Sequence, residues 1–412
     1  MLTGATVAQI LPLLFLPVIT RLFTPDEIGV FAAFTSLFVI LTAFMTAKYE
    51  FAILLPKRDT DAEQLFYLSM GISIATTFFA FVIILLWGER IALFFNAPEY
   101  INWLYLLPLS ILGYSVFSCG SYYLNRFKNY KSIASAKVSQ ASSMSVAQVG
   151  FGYLQFTTLG MIAGKVIGDM VIAITTLWHV TKVRQAFRAG ISYGRIRHLA
   201  WKYRSFPFYN APHALFNATS NNVAILVYSR FFGEAETGYY SVATRLTFGP
   251  IRLIAQSLMQ VFSREVSERH NRQEDIYRFF KKTVGYLALA GIAPCILAWF
   301  VSPALLAFVL GEEWRVSGEI IRLILPWVFL VMVVSPVTFI PALLNRQRKA
   351  MIIDLVYMLL RFTALYIGIH YHSITLAIAA YAAIGVIVQL YLLIWIARLA
   401  KDASQRTNFY PE

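Results

Sequence analysis

Long apolar runs separated by short polar connections dominate the pattern of this chain of 412 residues. A helix needs about 20 largely apolar residues to cross a bilayer, and most of the runs reach that length. The pattern therefore predicts an all-α polytopic membrane protein with about 12 transmembrane helices. The predicted spans are 2–23, 28–52, 65–87, 101–124, 133–153, 159–180, 206–230, 239–262, 284–309, 319–344, 350–369 and 374–397.

The composition indicates that lipid is the solvent. Hydrophobic residues make up 58% of the chain and charged residues 14%, and the mean hydropathy is +0.63. A water-soluble domain of this size does not carry such a surface. Cys119 and Cys295 both lie in apolar runs, so neither a disulfide framework nor a metal-ligand spacing is predicted. The first apolar run has no basic leader, and we interpret it as a retained span rather than a signal peptide.

Basic residues are sorted by side of the membrane. Twenty-five of the 35 Lys and Arg residues, with Lys137 counted among them, lie in the even-numbered connections and the C-terminal tail, and only four lie in the odd-numbered connections. Because cytoplasmic loops carry the excess of basic residues, both termini are predicted to be cytoplasmic. Orientation in a membrane thus accounts for the net charge of +14, and no nucleic-acid partner is predicted.

A repeat recurs in the sequence at an offset of 209 residues. The stretch 21–31 aligns with 230–240, and Arg21, Glu27 and Gly29 each match an identical residue. Both copies end one span and open the next on the outer side, which predicts halves of parallel topology related by an axis along the membrane normal. The predicted domains are an N-terminal six-helix bundle at 1–180, a basic cytoplasmic linker at 181–205, a C-terminal six-helix bundle at 206–398 and a cytoplasmic tail at 399–412.

Charged residues occur inside the predicted spans. A Lys or Arg that faces lipid at a helix centre costs about 3 kcal/mol even on the most lenient scale. These side chains must therefore face water, an ion-pair partner or a ligand. The basic ones are Lys48, Lys165, Arg245, Arg252, Arg322 and Arg361, and the acids in the same spans are Glu50, Asp169 and Asp354, with Glu319 near an outer boundary.

Sequence spacing indicates which of these charges can pair. Lys165 and Asp169 are four residues apart on one helical face, so an ion pair is predicted there, with a structural and a functional role both open. Lys48 and Glu50 are two residues apart and would point in different directions on a continuous helix, so no pair is predicted between them.

Two further arrangements are treated differently. Glu319 and Arg322 share a face near the outer boundary, and there a structural role is preferred. Arg245 and Arg252 are seven residues apart and face the same way, with no acid between them. Their counterparts at the repeat offset are uncharged, which favours a functional role over one in the scaffold.

An excess of buried cations suits an anionic substrate. Arginine suits phosphate in particular because its planar guanidinium donates two parallel hydrogen bonds, so a diphosphate fits this chemistry. We hypothesise that five of the basic residues inside the spans bind substrate and that three of the acidic ones couple transport to H+ or Na+. The predicted substrate-binding residues are Lys48, Arg245, Arg252, Arg361 and Lys165, and the predicted coupling residues are Glu50, Asp169 and Asp354.

Enzyme signatures do not occur in the sequence. The six histidines form no HExxH motif, and there is no acyl-transfer or phosphate-loop motif. A membrane glycosyl polymerase or ligase generally needs a sizeable outer domain, whereas each outer connection here has about a dozen residues or fewer. No catalytic residue, metal site or cofactor is predicted. A non-transporting scaffold is disfavoured by the arginines inside the spans.

Two stretches carry a family resemblance. The first runs from Ala8 through the motif 17–29 to 48–57, and the second covers 206–257. In these motifs, and over most of its length, the sequence resembles the Wzx-type polysaccharide (O-antigen) flippases of the MOP exporter superfamily. The resemblance implies a MATE-like fold of two six-helix bundles around a central cavity that opens alternately to each side.

The resemblance also implies a function. Its cargo is an oligosaccharide on undecaprenyl diphosphate, carried between leaflets of the bacterial inner membrane, often with an ion gradient as the driving force. The implied protein is a monomer in the lipid bilayer that works beside a polysaccharide polymerase and a chain-length regulator. A lipid II or multidrug exporter of the same superfamily, and a membrane glycosyl polymerase or ligase, remain the alternatives.

Overall fold

The computed structural model describes residues 2–94, 101–183 and 190–408, and within these ranges the chain is helical with no β-strand. The helices of the first part are α1 (Leu2–Leu14), α2 (Leu16–Leu22), α3 (Pro25–Thr42), α4 (Tyr49–Ala52), α5 (Asp59–Phe94), α6 (Ile101–Leu104), α7 (Leu107–Arg126), α8 (Tyr130–Tyr153), α9 (Thr157–Thr181) and α10 (Tyr193–Lys202).

The remaining helices are longer on average. They are α11 (Ala211–Phe232), α12 (Glu234–Asn271), α13 (Ile276–Leu310), α14 (Arg315–Val334), α15 (Ile340–Leu343), α16 (Gln347–His370) and α17 (Ile374–Asn408). A π-helical turn precedes α11 at Phe206–Asn210, and short 3-10 turns flank α14 at Glu312–Trp314 and Ser335–Val337.

Each of the twelve predicted spans coincides with a helix or with consecutive helical segments, and the predicted all-α polytopic fold is confirmed. In the described chain, eight helices are long and apolar enough to cross a membrane, and Thr6–Leu22 is a shorter apolar stretch. The other predicted spans, on α8, α11 and α12, are more polar. α8 carries six serines, and it packs against α1 and α9, so it does not need an apolar surface on every side.

The start of α3 is encoded locally. Thr24 is the N-cap, and its hydroxyl accepts from the Glu27 N–H, while the Glu27 carboxylate accepts from the Thr24 N–H at 2.8 Å. Pro25 occupies the first helical position, where a missing N–H costs nothing. This capping box fixes the point at which the first turn between spans becomes a membrane span.

Helix packing divides the chain into two compact units, Met1–Gly238 and Tyr239–Glu412. The first unit includes α11, which packs against α3, although the sequence repeat assigns this helix to the C-terminal half. Leu226 of α11 joins the apolar cluster that contains Val30 of α3. The division into two six-helix halves therefore rests on the sequence repeat and stays a prediction.

Each unit has its own buried apolar cluster. In the first unit α3, α7 and α9 supply Val30, Phe34, Phe38, Ile111, Ile162 and Val166. In the second unit the cluster includes Phe262, Val266, Phe280, Ile340, Trp395 and Ile396. Since lipid is as apolar as these side chains, close packing rather than escape from water holds such helices together. The clusters fix the helices that carry the buried charges.

The two copies of the sequence repeat touch at their glycines, within the first unit. A Cβ atom on Gly29 would collide with the Glu234 carbonyl oxygen, and one on Gly238 would collide with the Pro25 carbonyl oxygen. The first contact maps onto the second at the same offset of 209 residues. The first turns of α3 and α12 thus meet backbone to backbone, which only glycine permits.

Arg322 has a structural role in the second unit, as preferred from the sequence, but its partner is not Glu319. Pro303 in α13 has no N–H to donate to the Trp299 carbonyl four residues earlier. The Arg322 guanidinium of α14 donates to that carbonyl at 2.7 Å and to the Phe300 carbonyl at 3.2 Å. A side chain from a neighbouring helix thus replaces the hydrogen bond that the proline removes.

The close contact at Gly29 predicts that a larger residue there destabilises the protein. Gly29→Ala should lower the midpoint of thermal unfolding of the purified protein in detergent by several degrees, because the new methyl group must separate α3 from α12. Gly71→Ala in α5 is the matched control. A methyl group added at Gly71 meets no atom within 4 Å, and alanine is the better helix former by about 1 kcal/mol. Equal midpoints for the two variants would contradict the proposed close contact.

Candidate functional site

A cavity of about 470 Å³ lies within the first unit. It is bounded by the end of α3 and the turn after it, α4, α7 and α8. The charged side chains in its wall are Lys48, Glu50 and Lys137. Hydroxyls, an amide and aromatic rings complete the wall, including Thr46, Ser118, Ser121, Asn125, Tyr114 and Tyr122.

The chain between α3 and α4 is a turn rather than the continuous helix predicted over 28–52. Ala47 and Lys48 have φ angles of 48° and 59°, which break the helical path. As a result, Lys48 Nζ lies 3.7 Å from Glu50 Oε1. The prediction that these two residues do not pair is wrong, because the spacing rule behind it holds only along an unbroken helix.

Glu50 has a second partner at the cavity wall besides Lys48. Its carboxylate is almost fully buried and also accepts a hydrogen bond from the Thr46 hydroxyl. The neighbouring Tyr49 points the other way, and its hydroxyl donates to the Ala200 carbonyl of α10 at 2.9 Å. The Lys48 ammonium and the Thr46 hydroxyl thus both act on the negative charge of this carboxylate.

Lys165 and Asp169 form the predicted ion pair, with 2.8 Å between Nζ and Oδ2. Both residues are buried. Gln140 of α8 donates to the other carboxylate oxygen at 2.8 Å, and the Lys165 ammonium lies 3.5 Å from the centre of the Phe38 ring of α3. The pair thus joins α3, α8 and α9, and neither residue lines the cavity.

Arg361 in the second unit is enclosed by aromatic rings. Its guanidinium lies 3.9 Å from the centre of the Tyr357 ring, 5.0 Å from that of Tyr381 and 5.5 Å from that of Trp327. It also donates to the Tyr357 hydroxyl at 2.8 Å, and only 6% of the residue is exposed. Faces of aromatic rings attract cations electrostatically, so this cage accommodates a charge at membrane depth.

The other predicted residues of the second unit are less enclosed. Arg252 is exposed and interacts electrostatically with Arg361 and Tyr240, so two like charges lie in one region of this unit. Arg245 is half-buried, and within the described ranges no hydrogen bond or ion pair joins it to another side chain. Asp354 is exposed on α16, two helical turns before Arg361.

Lys137 was missed as a site residue. It is grouped above with the basic residues of a connection, whereas the structure places it two turns inside α8, in the cavity wall. Its ammonium lies 5.8 Å from the centre of the Phe117 ring. Its position inside the predicted span 133–153 was the signal that could have identified it.

The amino-acid sequence matches the model of a known protein family. A model of the family described as polysaccharide biosynthesis protein matches residues 18–319. No match exists among curated protein sequences. The family model covers the whole of the first-unit cavity, α12, α13 and the start of α14.

Solved structures of MOP-superfamily transporters share the fold. An inward-facing MATE-family multidrug resistance transporter has a TM-score of 0.79 at 12% identity, over 96% of each chain. The lipid II flippase MurJ in an inward closed conformation has a TM-score of 0.76 at 14% identity, over 99% of this chain and 90% of that one. The MATE multidrug transporter DinF-BH has a TM-score of 0.68 at 13% identity, over 96% and 93%. The predicted MATE-like architecture is confirmed, and at these identities the likeness is one of fold.

The two roles left open for the Lys165–Asp169 pair predict different results. Lys165→Met alone should destabilise the protein strongly, by about 3–5 kcal/mol, because it leaves a buried carboxylate without its cation. Lys165→Met with Asp169→Leu should recover most of that loss, since no buried charge remains. Thermal unfolding in detergent measures both.

Transport by the double variant then assigns the role. Near-normal transport would make the pair structural, whereas a stable but inactive protein would support coupling through Asp169. If the single variant is as stable as the wild type, the buried ion pair itself is refuted.

Proposed function

Because the chain belongs to the polysaccharide biosynthesis protein family, we propose that it moves an oligosaccharide linked to polyprenyl diphosphate across the bacterial inner membrane by alternating access. The proteins that share its fold are transporters and a flippase, and the chain is a membrane exporter rather than an enzyme. The cargo passes from the cytoplasmic to the periplasmic leaflet. Both termini lie on the cytoplasmic side, as the distribution of basic residues indicates.

The observation that carries this proposal is the surplus of cations over carboxylates at membrane depth. In the first-unit cavity Lys48 and Lys137 outnumber Glu50. In the second unit Arg252 and Arg361 interact with one another, and their mutual repulsion is relieved when an anion binds. A diphosphate supplies several negative oxygens in one small group, and both ammonium and guanidinium ions bind it well.

The rest of the cavity wall suits a sugar. Ser118, Ser121 and Asn125 offer hydrogen-bonding groups of the kind that bind sugar hydroxyls. Tyr114 and Tyr122 offer ring faces on which the apolar face of a sugar ring can stack. A lipid tail needs no such groups, so this wall supports a cargo with a polar head.

Two other cargoes have to be distinguished from the proposed one. The chemistry of the cavity argues against a cationic drug, and an assay distinguishes lipid II. An exporter of cationic drugs needs acidic groups at its site, and the excess of lysine over carboxylate in the cavity disfavours that cargo. Lipid II carries the same diphosphate as the proposed substrate, so the charges favour neither. The glycan that accumulates without the protein has to be identified.

Glu50 is the best of the three coupling candidates. It lines the cavity and pairs with Lys48, whereas Asp169 is committed to a buried ion pair and Asp354 is exposed. Protonation of Glu50 removes the negative charge that competes with an anionic cargo for Lys48. Ion binding and cargo binding therefore act on the same ammonium group.

The substrate proposal predicts the phenotype of a deletion strain. Lipid-linked oligosaccharide should accumulate on the cytoplasmic leaflet, and expression of the intact chain should return surface polysaccharide to its normal level. Lys137→Gln should reduce that rescue about tenfold, equivalent to about 1.4 kcal/mol of lost interaction.

Lys131→Gln is the matched control. It lies on the same helix but is exposed and lies outside the cavity wall, so its rescue should equal that of the wild type. Normal surface polysaccharide in the deletion strain would refute the proposed function. Equal rescue by the two lysine variants, at equal expression, would refute the role of the cavity.

Coupling through Glu50 predicts a response to the pH gradient. Transport in proteoliposomes should speed up when a proton gradient is imposed, and Glu50→Gln should abolish that acceleration, because a glutamine cannot bind and release the proton. Asp354→Asn should keep it. Indifference of the wild type to the gradient would remove proton coupling, and a Na+ gradient would then be tested in the same vesicles.

A further inference from the structure

The stretch 190–204, which precedes α11, presents aromatic and apolar side chains on its surface. Only Leu199 of the ten residues of α10 is buried. Tyr193 and Trp201 expose 84% and 69% of their surfaces, and Ile191 just before the helix exposes 60%. Clustered exposure of large apolar side chains marks an interaction surface.

The other side of α10 is fixed to the first unit by polar contacts. The Gln64 side chain of α5 donates to the Gly190 carbonyl at 2.6 Å and accepts from the Ser192 N–H at 2.9 Å. Arg195 forms an ion pair with Asp61 at 2.6 Å. These contacts hold α10 in one position. The face of α10 that points away from the first unit, called its outer face below, is therefore a defined surface.

The outer face alternates rings with guanidinium groups. Tyr193, Arg197 and Trp201 are spaced four residues apart and share one side of the helix, and Arg204 follows at the next turn. The Arg204 guanidinium lies 4.0 Å from the centre of the Trp201 ring. Arg197 and Arg204 are both exposed. No acidic residue occurs anywhere from 170 to 233, so the charge of this face is not neutralised from within the segment.

The position of α10 in the fold identifies the surface that it meets. Asp61 and Gln64, which hold it, lie at the polar end of the membrane span Asp59–Leu93. α10 therefore lies at the boundary of the bilayer, on the side to which the basic connections belong. Aromatic rings partition to the headgroup level of a bilayer, and basic side chains there are attracted to anionic lipids.

We propose that the outer face of α10 binds anionic phospholipid. Arg197 and Arg204 contact the headgroup phosphates, and Tyr193 and Trp201 are buried among the headgroups beside them. This lipid site is independent of the proposed cargo. It requires only that the chain spans a membrane that contains anionic lipid.

Fluorescence quenching of Trp201 tests the site in the full chain. The protein is reconstituted in vesicles of phosphatidylcholine and phosphatidylglycerol in which one lipid or the other is brominated. The difference between the wild type and Trp201→Phe isolates the Trp201 signal. In the wild type, brominated phosphatidylglycerol should quench Trp201 several-fold more effectively than brominated phosphatidylcholine at equal mole fraction. Each arginine near an anionic surface contributes roughly a fivefold preference.

Arg197→Gln with Arg204→Gln should remove most of the preference for phosphatidylglycerol and bring quenching by the two brominated lipids close to equal. Arg348→Gln with Lys401→Gln is the control, because it removes the same charge from exposed positions outside α10 and should leave the preference unchanged. Because all four side chains are exposed, the variants should retain the unfolding midpoint of the wild type in phosphatidylcholine.

Three results would overturn the proposal. The first is equal quenching of wild-type Trp201 by the two brominated lipids. The second is an unchanged preference in the Arg197→Gln and Arg204→Gln variant. The third is a preference that appears only for added polyprenyl diphosphate, which would make α10 part of the cargo route instead. Loss of cargo transport without any change in quenching would count against the proposed function and leave the lipid site intact.

Discussion

The cost of placing charge at membrane depth is the constraint on which the rest of this structure depends. Each buried charge has to be compensated, and the structure uses a different device each time. Lys165 is compensated by Asp169, Arg322 by two carbonyls of α13, one of which a proline leaves without its donor, and Arg361 by a cage of rings. The cage attracts the Arg361 cation through the faces of its rings, and Arg252 is a second positive charge that interacts with it.

The fold was largely predictable because its signal is local. Apolar runs of about twenty residues predict spans one at a time, and all twelve coincide with helical segments. The break after α3 was not predicted, since no glycine or proline marks it. Ala47 and Lys48 adopt positive φ angles that neither residue type favours by itself. The surrounding packing must therefore impose the break. That break also explains why a spacing rule failed for Lys48 and Glu50.

The candidate site was predictable only as far as single residues are concerned. Buried charge is visible in the sequence, so Lys48 and Arg361 could be identified, whereas the groups around them could not. The rings that enclose Arg361 come from α14, α16 and α17, and no spacing along the chain links Trp327 to Tyr381. Lys165 and Asp169 were paired correctly because they lie on one unbroken helix. Contacts between helices require the packing, which a single sequence does not contain.

The sequence repeat separates the scaffold from the site. The glycine contact is the same in both copies, since Gly29 meets Glu234 as Gly238 meets Pro25. Most of the charges inside the spans are not shared in this way, and Lys137 is an exception because its counterpart is Arg346. At the offset of 209 residues the following counterparts are uncharged: Ser257 for Lys48, Met259 for Glu50, Ile374 for Lys165, Ile378 for Asp169, Ser36 for Arg245, Ala43 for Arg252, Gly113 for Arg322 and Gly152 for Arg361. A close helix contact can serve both halves, because sterics do not depend on the cargo. A charge is kept where a partner or an anion compensates its cost, and that requirement differs between the halves.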